Sequence, residues 1–258
     1  MRFRLLGSLE IEDDGVQVDL GGAVQRAVLG YLLLHANQVV PTSRMLSALW
    51  DGQPPSTARK MVQNAVSAIR RMLAAHDDTA GAALVTHPPG YQLRVDPDLV
   101  DMHQFRRLVK AGRAETSVGN SLPGKRHLRE ALGLWRGRAL ADLVERGTSW
   151  SELAAIEDER LLAYEDCFDA ELMCGRHREI TPELEVLTEA EPVRERLCMQ
   201  FMLALYRSGR QVDALNVYRR TRDALVDGLG IEPGRELQEL QHRILEHHAS
   251  IQAPLLVA

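Results

Sequence analysis

Only three cysteines, Cys167, Cys174 and Cys198, occur in the 258 residues, and no two of them share a C-x-x-C spacing. An odd, unpaired set excludes the disulfide framework of a small secreted scaffold, so the thiols are read as core residues. Long apolar runs are also missing: none approaches the ~18 to 20 residues that a membrane-spanning helix needs. The opening Met1-Arg2-Phe3-Arg4 leads into alternation instead of the apolar block of a secretion signal. The expectation is a cytoplasmic chain with no membrane partner. No G-x-x-x-x-G-K run is present, which excludes a phosphate-cradling nucleotide site. The segment Gly119-Asn120-Ser121-Leu122-Pro123-Gly124 approximates a nucleophile elbow, but Pro123 takes the place of the second glycine and no strand precedes it. His242, His247 and His248 stand near Glu246 without a cysteine and read as solvated side chains, not as metal ligands. No catalytic residue, metal or cofactor is therefore expected, nor a phospho-accepting receiver domain ahead of the chain's first element.

What is present is an ordinary globular composition, 45% hydrophobic and 26% charged, at a length that favours two compact domains. The net charge of -5 excludes a uniformly basic surface. Charge is nevertheless segregated. Between residues 21 and 76, Arg26, Arg44, Arg59, Lys60, Arg70 and Arg71 face Asp51 as the only carboxylate. Such a basic stretch in an acidic chain points to one face kept for a polyanion.

Along residues 3–20, Phe3, Leu5, Leu9, Ile11, Val16, Val18 and Leu20 largely recur at every second position, the period of half-buried strands. Asp14-Gly15 supplies the positive-φ pair of a tight hairpin turn. After Gly21-Gly22 the period lengthens, and Val24, Ala27, Val28, Tyr31, Leu32 and Leu34 predict a first helix stopped at Asn37. Thr42 or Ser43 is placed to cap a second helix over 45–50. Asp51-Gly52-Gln53-Pro54-Pro55 breaks the chain, because two successive prolines cannot continue a helix. Ser56-Thr57 then offers a cap for a third helix over 58–75, whose apolar stripe is Ala58, Met61, Val62, Ala65, Ile69, Met72 and Leu73.

The other side of that third helix carries Arg59, Lys60, Gln63, Asn64, Ser67, Arg70 and Arg71 and not one carboxylate. A helix fits the major groove of B-DNA, where Arg can fork onto guanine and Asn or Gln onto adenine, each pair giving about 1 to 3 kcal/mol of base discrimination. The competing reading is a polar face that only meets water. Residues 84–95 next read as strand, turn, strand, the layout of a wing, with Gly90 permitting a tight backbone. Thr86, His87, Arg94 and the amides around Gly90 and Tyr91 are placed to grip phosphates beside the groove. Taken by itself, the Tyr91 ring reads as a packing residue.

These segments, together with Leu5-Leu6-Gly7-Ser8-Leu9, Gln25-Arg26, Leu46-Ser47-Ala48-Leu49-Trp50, Pro54-Pro55-Ser56-Thr57-Ala58-Arg59, Val66-Ser67-Ala68-Ile69-Arg70-Arg71 and Pro89-Gly90-Tyr91-Gln92-Leu93, resemble the Streptomyces antibiotic regulatory protein activators. The first part is similar to the OmpR/PhoB-type winged helix. The likeness continues through Leu134-Trp135-Arg136-Gly137 and residues 203–211 to Leu229-Gly230-Ile231-Glu232-Pro233-Gly234. It implies that 58–75 is the recognition helix and 84–95 the wing, with Arg26, Thr42 and Arg44 joining the DNA contacts. It implies too that Asp51, Gly52, Gln53, Pro54 and Pro55 face RNA polymerase holoenzyme. Val24 stands where the family often has a lysine, and Ala65 and Ala68 replace larger residues.

Past Asp96-Pro97-Asp98, residues 105–253 pattern as helix with no strand run. Gly175-Arg176 and Gly209-Arg210 stand at the 34-residue tetratricopeptide offset, and Ala170 matches Ala204 at the same distance. Gly209, Ala214 and Tyr218 occupy the turn, small and aromatic positions of such a repeat, and Ala131 with Trp135 repeats the last spacing. Helix pairs of this kind bury a face only by stacking. The expected architecture is mainly α: a winged helix-turn-helix with a small amino-terminal antiparallel sheet and wing hairpin over 1–96, then an all-helical tetratricopeptide-like activation domain over 97–258. The 229–234 segment is expected as an interhelical loop, its glycine stopping one helix and its proline starting the next. The expected function is a transcriptional activator binding direct repeats in double-stranded DNA near promoters of an antibiotic biosynthetic cluster, nucleoid-associated when bound. It would recruit polymerase and pair as a homodimer on DNA. The alternative is a tetratricopeptide adaptor that contacts proteins and no specific DNA.

Overall fold

A computed structural model describes residues 1–75 and 81–252; His76, which ends the basic stretch, and Ala253, which ends the helical pattern, lie outside them. Contacts divide the chain into two compact units, one of Met1–Lys110 with Glu130–Arg160 and the other of Ala111–Arg129 with Leu161–Ala258.

The first unit opens with strands β1 (Arg2–Arg4), β2 (Glu10–Asp13) and β3 (Val16–Gln17) in one antiparallel sheet, Phe3 opposite Ile11 and Asp13 opposite Val16. Asp14 and Gly15 have φ of 45° and 81°, the expected turn. Helix α1 (Ala23–Leu34) follows. It ends three residues before Asn37, which has another task. Left-handed at φ 66°, Asn37 donates to the Val95 carbonyl (2.9 Å) and accepts from the Val95 amide (3.0 Å). This pins a strand that the residue pattern does not announce, β4 (Val39–Pro41). Three residues are too short for an alternation to register.

Helices α2 (Thr42–Leu49) and α3 (Ala58–Ala74) come next, then strands β5 (Ala82–His87) and β6 (Gly90–Val95). The second sheet has the order β4-β6-β5. Neither helix is capped as expected: Pro41 holds the cap position of α2, and the Thr57 hydroxyl at the start of α3 makes no cap bond. Burial holds α3 instead. Val62, Val66, Ile69 and Leu73 are buried, at about 1.5 to 3 kcal/mol each. Gly90 is required by a close approach and not by a positive φ. A β-carbon there would lie 1.9 Å from the Val40 carbonyl oxygen where β4 pairs with β6.

A 96/97 boundary read from residue character does not coincide with the edge of this unit, for a hydrogen-bonding reason. Asp101, at the start of α4 (Asp101–Ser117), accepts from the amides of Leu5 (2.8 Å) and Leu6 (3.0 Å). Past α5 (Ser121–Leu132), the amides of Arg136 and Leu140 donate to Leu6 (2.7 Å) and Leu5 (2.9 Å). In α6 (Ala141–Val144), Asp142 accepts from the Leu9 amide at 2.7 Å. The β1–β2 connection is thus completed by residues more than ninety positions away. Trp135 lies beyond the end of α5, edge-on to Phe105 (5.4 Å) with the Arg160 guanidinium over its ring (4.6 Å), so Ala131 and Trp135 are not an early repeat pair.

The second unit is helical among the described residues. It takes the end of α4, most of α5 and the latter part of α7 (Ser151–Met173), then α8 (His177–Ala190), α9 (Glu195–Arg207), α10 (Gln211–Leu229) and α11 (Arg235–Leu245). Gly175 and Gly209, at φ 73° and 79°, make the two equivalent turns of the repeat. Ala170, Ala204 and Ala214 are fully buried, where larger side chains would force the helices apart. Gly230 stops α10 at φ 70° as expected, whereas Gly234 and not Pro233 caps α11, its amide held by Glu195 at 2.7 Å. Cys167 and Cys198 are buried free thiols, and burial pushes the Cys167 thiol up to about 12. Among the described residues no helix is long and apolar enough to cross a membrane, and no cluster suits a metal ion.

Candidate nucleic-acid interface

The inward stripe of α3 fixes which of its side chains point out. Arg59, Lys60, Gln63, Asn64, Ser67 and Arg71 are all exposed. No acidic residue lies on α3, and among the described residues Arg59, Lys60 and Arg71 form no ion pair. The Ser67 hydroxyl donates to the Gln63 carbonyl at 2.9 Å. Ala65 is buried and Ala68 half-buried, so the smaller residues at those two positions sit on or beside the packed side and leave the outward rank intact.

Arg70 behaves differently. Its Nε donates to the Leu84 carbonyl (2.9 Å) and its Nη2 to the Thr86 hydroxyl (2.6 Å), which turns the guanidinium onto strand β5. On the hairpin, Thr86 and His87 are exposed, Tyr91 is half-buried and Gly90 is buried. Thr42 directs both its amide and its hydroxyl to the Pro89 carbonyl (3.3 Å each), tying α2 to the hairpin turn. Arg94 donates to Gln92 at 3.0 Å and stays exposed.

Two expected contacts are occupied inside the unit. Arg26 donates through Nε (2.8 Å) and Nη2 (2.5 Å) to Asp142 and to the Leu9 carbonyl (2.8 Å), leaving little of the head group for a phosphate. Arg44 reaches Glu152 at 3.0 Å and the buried His35 ring at 3.1 Å. Burial opposes the charge of Glu152, but a backbone amide, His35 and Arg44 outweigh it and hold its carboxyl below the usual range. Beside this cluster the Trp150 indole donates to the Ala48 carbonyl at 3.0 Å, at the root of the α2–α3 loop. No local pattern announces Asp142, Trp150 or Glu152, since each partner lies more than a hundred residues away.

The α2–α3 loop is open to solvent. Asp51, Gly52, Gln53, Pro54 and Pro55 are all exposed, with Asp51 and Gly52 left-handed at φ 49° and 77°. The Gly52 amide bonds back to Ser47 (2.9 Å) and the Gln53 amide to Trp50 (2.8 Å), so the loop has a defined shape. A cleft of about 580 Å³ runs beside it, lined in part by Arg44, Trp50, Arg146, Trp150 and Glu152.

Comparison with known proteins places these elements. The family described as bacterial transcriptional activator domain matches residues 100–245, and the one described as transcriptional regulatory protein, C terminal, matches residues 17–93. Regulatory protein DnrI of Streptomyces peucetius is 37% identical over 250 residues, covering 95% of this chain and 92% of its own length. Transcriptional regulatory protein EmbR of Mycobacterium tuberculosis is 38% identical over 243 residues, 94% of this chain. The chain spans 63% of the length of that EmbR. A solved structure of M. tuberculosis EmbR in complex with a low affinity phosphopeptide superposes with a TM-score of 0.87 at 37% identity, covering 95% of this chain and 65% of that one.

Proposed function

Because the chain belongs to the Streptomyces antibiotic regulatory protein family of transcriptional regulators, we propose that it activates transcription by binding duplex DNA sequence-specifically through α3. The observation that carries this reading is the outward face of α3, where three cations that have no carboxylate partner among the described residues flank two amides and a hydroxyl. Arg59, Lys60 and Arg71 supply charge for phosphates and guanine edges, while Gln63 and Asn64 carry the paired donor and acceptor that adenine presents in mirror image. The hairpin, through Thr86, His87 and Arg94, follows the backbone beside the groove, whereas the Tyr91 amide lies in the central strand, paired with Val40 and Thr86, and leaves the contact set. Residues 1–96 act here as the DNA-binding module and 97–258 as the activation module.

Arg26 leaves the contact set, because Asp142 and the Leu9 carbonyl already hold its fork, whereas Arg44, exposed and engaged through Nη2, stays in it. The reading extends to direct-repeat sites near promoters of a secondary-metabolite cluster, occupied by two copies, with the exposed loop from Asp51 to Pro55 meeting RNA polymerase. A mobility-shift series with duplexes tiled across the intergenic DNA flanking its own gene tests it. One tile should bind with an affinity that falls with salt, the slope on logarithmic axes being about -0.9 per phosphate neutralised. Uniformly weak binding to every tile would instead favour the adaptor reading, in which the helical repeat alone makes the functional contact.

A further inference from the structure

We propose that Arg70 is a positioning residue, a strut that sets the wing hairpin against the recognition helix so that the two reach one duplex together; this rests on the DNA-binding reading above. Strand β5 is the outer strand of its sheet, paired among the described residues with β6 alone. Half the carbonyls of such a strand point away from the sheet and need another donor. Arg70 supplies it at Leu84, and its second arm takes the Thr86 hydroxyl two residues on, the same side of the strand. A two-point attachment by a planar fork fixes both distance and angle, which a single bond does not.

The neighbouring cation shows the contrast. Arg71 follows on α3, turned by about 100° around the axis, and its exposed head group has no partner among the described residues. Arg70 is half-buried, and its Nε and Nη2 are already donating to the protein. A side chain so engaged gains little by meeting a phosphate, since each new bond would replace one already made. Its effect on DNA is exerted through β5 instead. The hairpin end that carries Thr86 and His87 is held at a set distance from the α3 face that carries Gln63 and Asn64.

The test uses the full chain, the binding tile found above, and the variants Arg70→Ala and Arg70→Lys. The strut predicts roughly tenfold weaker binding for Arg70→Ala, as for the loss of one or two charge-assisted contacts. Arg70→Lys should not restore it, because one ammonium cannot replace the fork. Hydroxyl-radical footprints should keep protection over the groove read by α3 and lose it on one flank, a pattern that general destabilisation does not produce. Amide exchange in β5 should quicken in Arg70→Ala and stay fast in Arg70→Lys. Full rescue by Arg70→Lys, or flank protection that persists in Arg70→Ala, overturns the strut and makes Arg70 a direct contact. Failure of the DNA reading itself shows earlier and elsewhere, as a wild-type chain that selects no tile, and it takes the positioning role down with it.

Discussion

At the start of α9, Arg194 and Arg196 reach Glu165, Asp166 and Asp169 of α7, at 2.5 to 3.2 Å, whereas on α3 Arg59, Lys60 and Arg71 reach no carboxylate among the described residues. The head groups are nearly the same and their surroundings are opposite. Glu165 is 2% exposed, so its two arginines neutralise a charge that could not stay there alone. On α3 the cations stand in water, Arg59 and Lys60 in the first turn and Arg71 about three turns on, and their shared positive field is what a bound polyanion would meet. Arginine content therefore says little about nucleic-acid binding until the partners are counted.

That contrast can be broken most sharply at Glu165. Replacing it by alanine leaves Arg194 and Arg196 without their central partner and should cost about 3 to 5 kcal/mol in urea unfolding. Next comes the triple substitution Arg59→Ala, Lys60→Ala, Arg71→Ala. DNA affinity should fall on the order of a hundredfold, and the salt slope should flatten by up to about 2.7, while folding stability moves by less than ~0.5 kcal/mol. An unchanged slope in fluorescence anisotropy would remove α3 from the interface. Arg26→Ala sharpens the line between the two kinds of arginine within one unit. It should lose roughly 2 kcal/mol of stability, through three charge-assisted bonds, and leave the salt slope as it was. The smallest effect belongs to Trp150→Phe, which keeps a six-membered ring but deletes the bond to Ala48 and the pyrrole edge beside it, for about 1 to 2 kcal/mol, read as a lower thermal midpoint.

The residue pattern alone carries much of this molecule. The α3 stripe places the helix within a residue of its observed end, Asp14-Gly15 marks the first hairpin, and the equivalent glycines at 175 and 209 mark the repeat. All three are local signals, written within a few turns of chain. What stays hidden is pairing across distance. Arg26, Arg44 and Arg70 look alike in sequence to Arg59 and Arg71, and only Asp142, Glu152 and the edge of β5 separate them. Strand β4 is hidden by its brevity, and the role of Gly90 by depending on a carbonyl fifty residues earlier. Trp135 misleads for the reverse reason: its spacing from Ala131 mimics a helical repeat after α5 has ended.

The bonds from Asp101, Arg136, Leu140, Asp142 and Trp150 back to the first fifty residues have a practical outcome for anyone dissecting the gene. A fragment stopped at residue 96 would keep every side chain proposed to read bases and yet discard the acceptors for Leu5, Leu6 and Leu9 and the donor for Ala48. Unpaired backbone amides would then open at the rim of its own sheet, a ready template for self-association. A fragment stopped at residue 160 keeps those closures but strands residues 111–129, where Lys125 and Arg129 pair with Glu171, so the whole chain is the piece to purify.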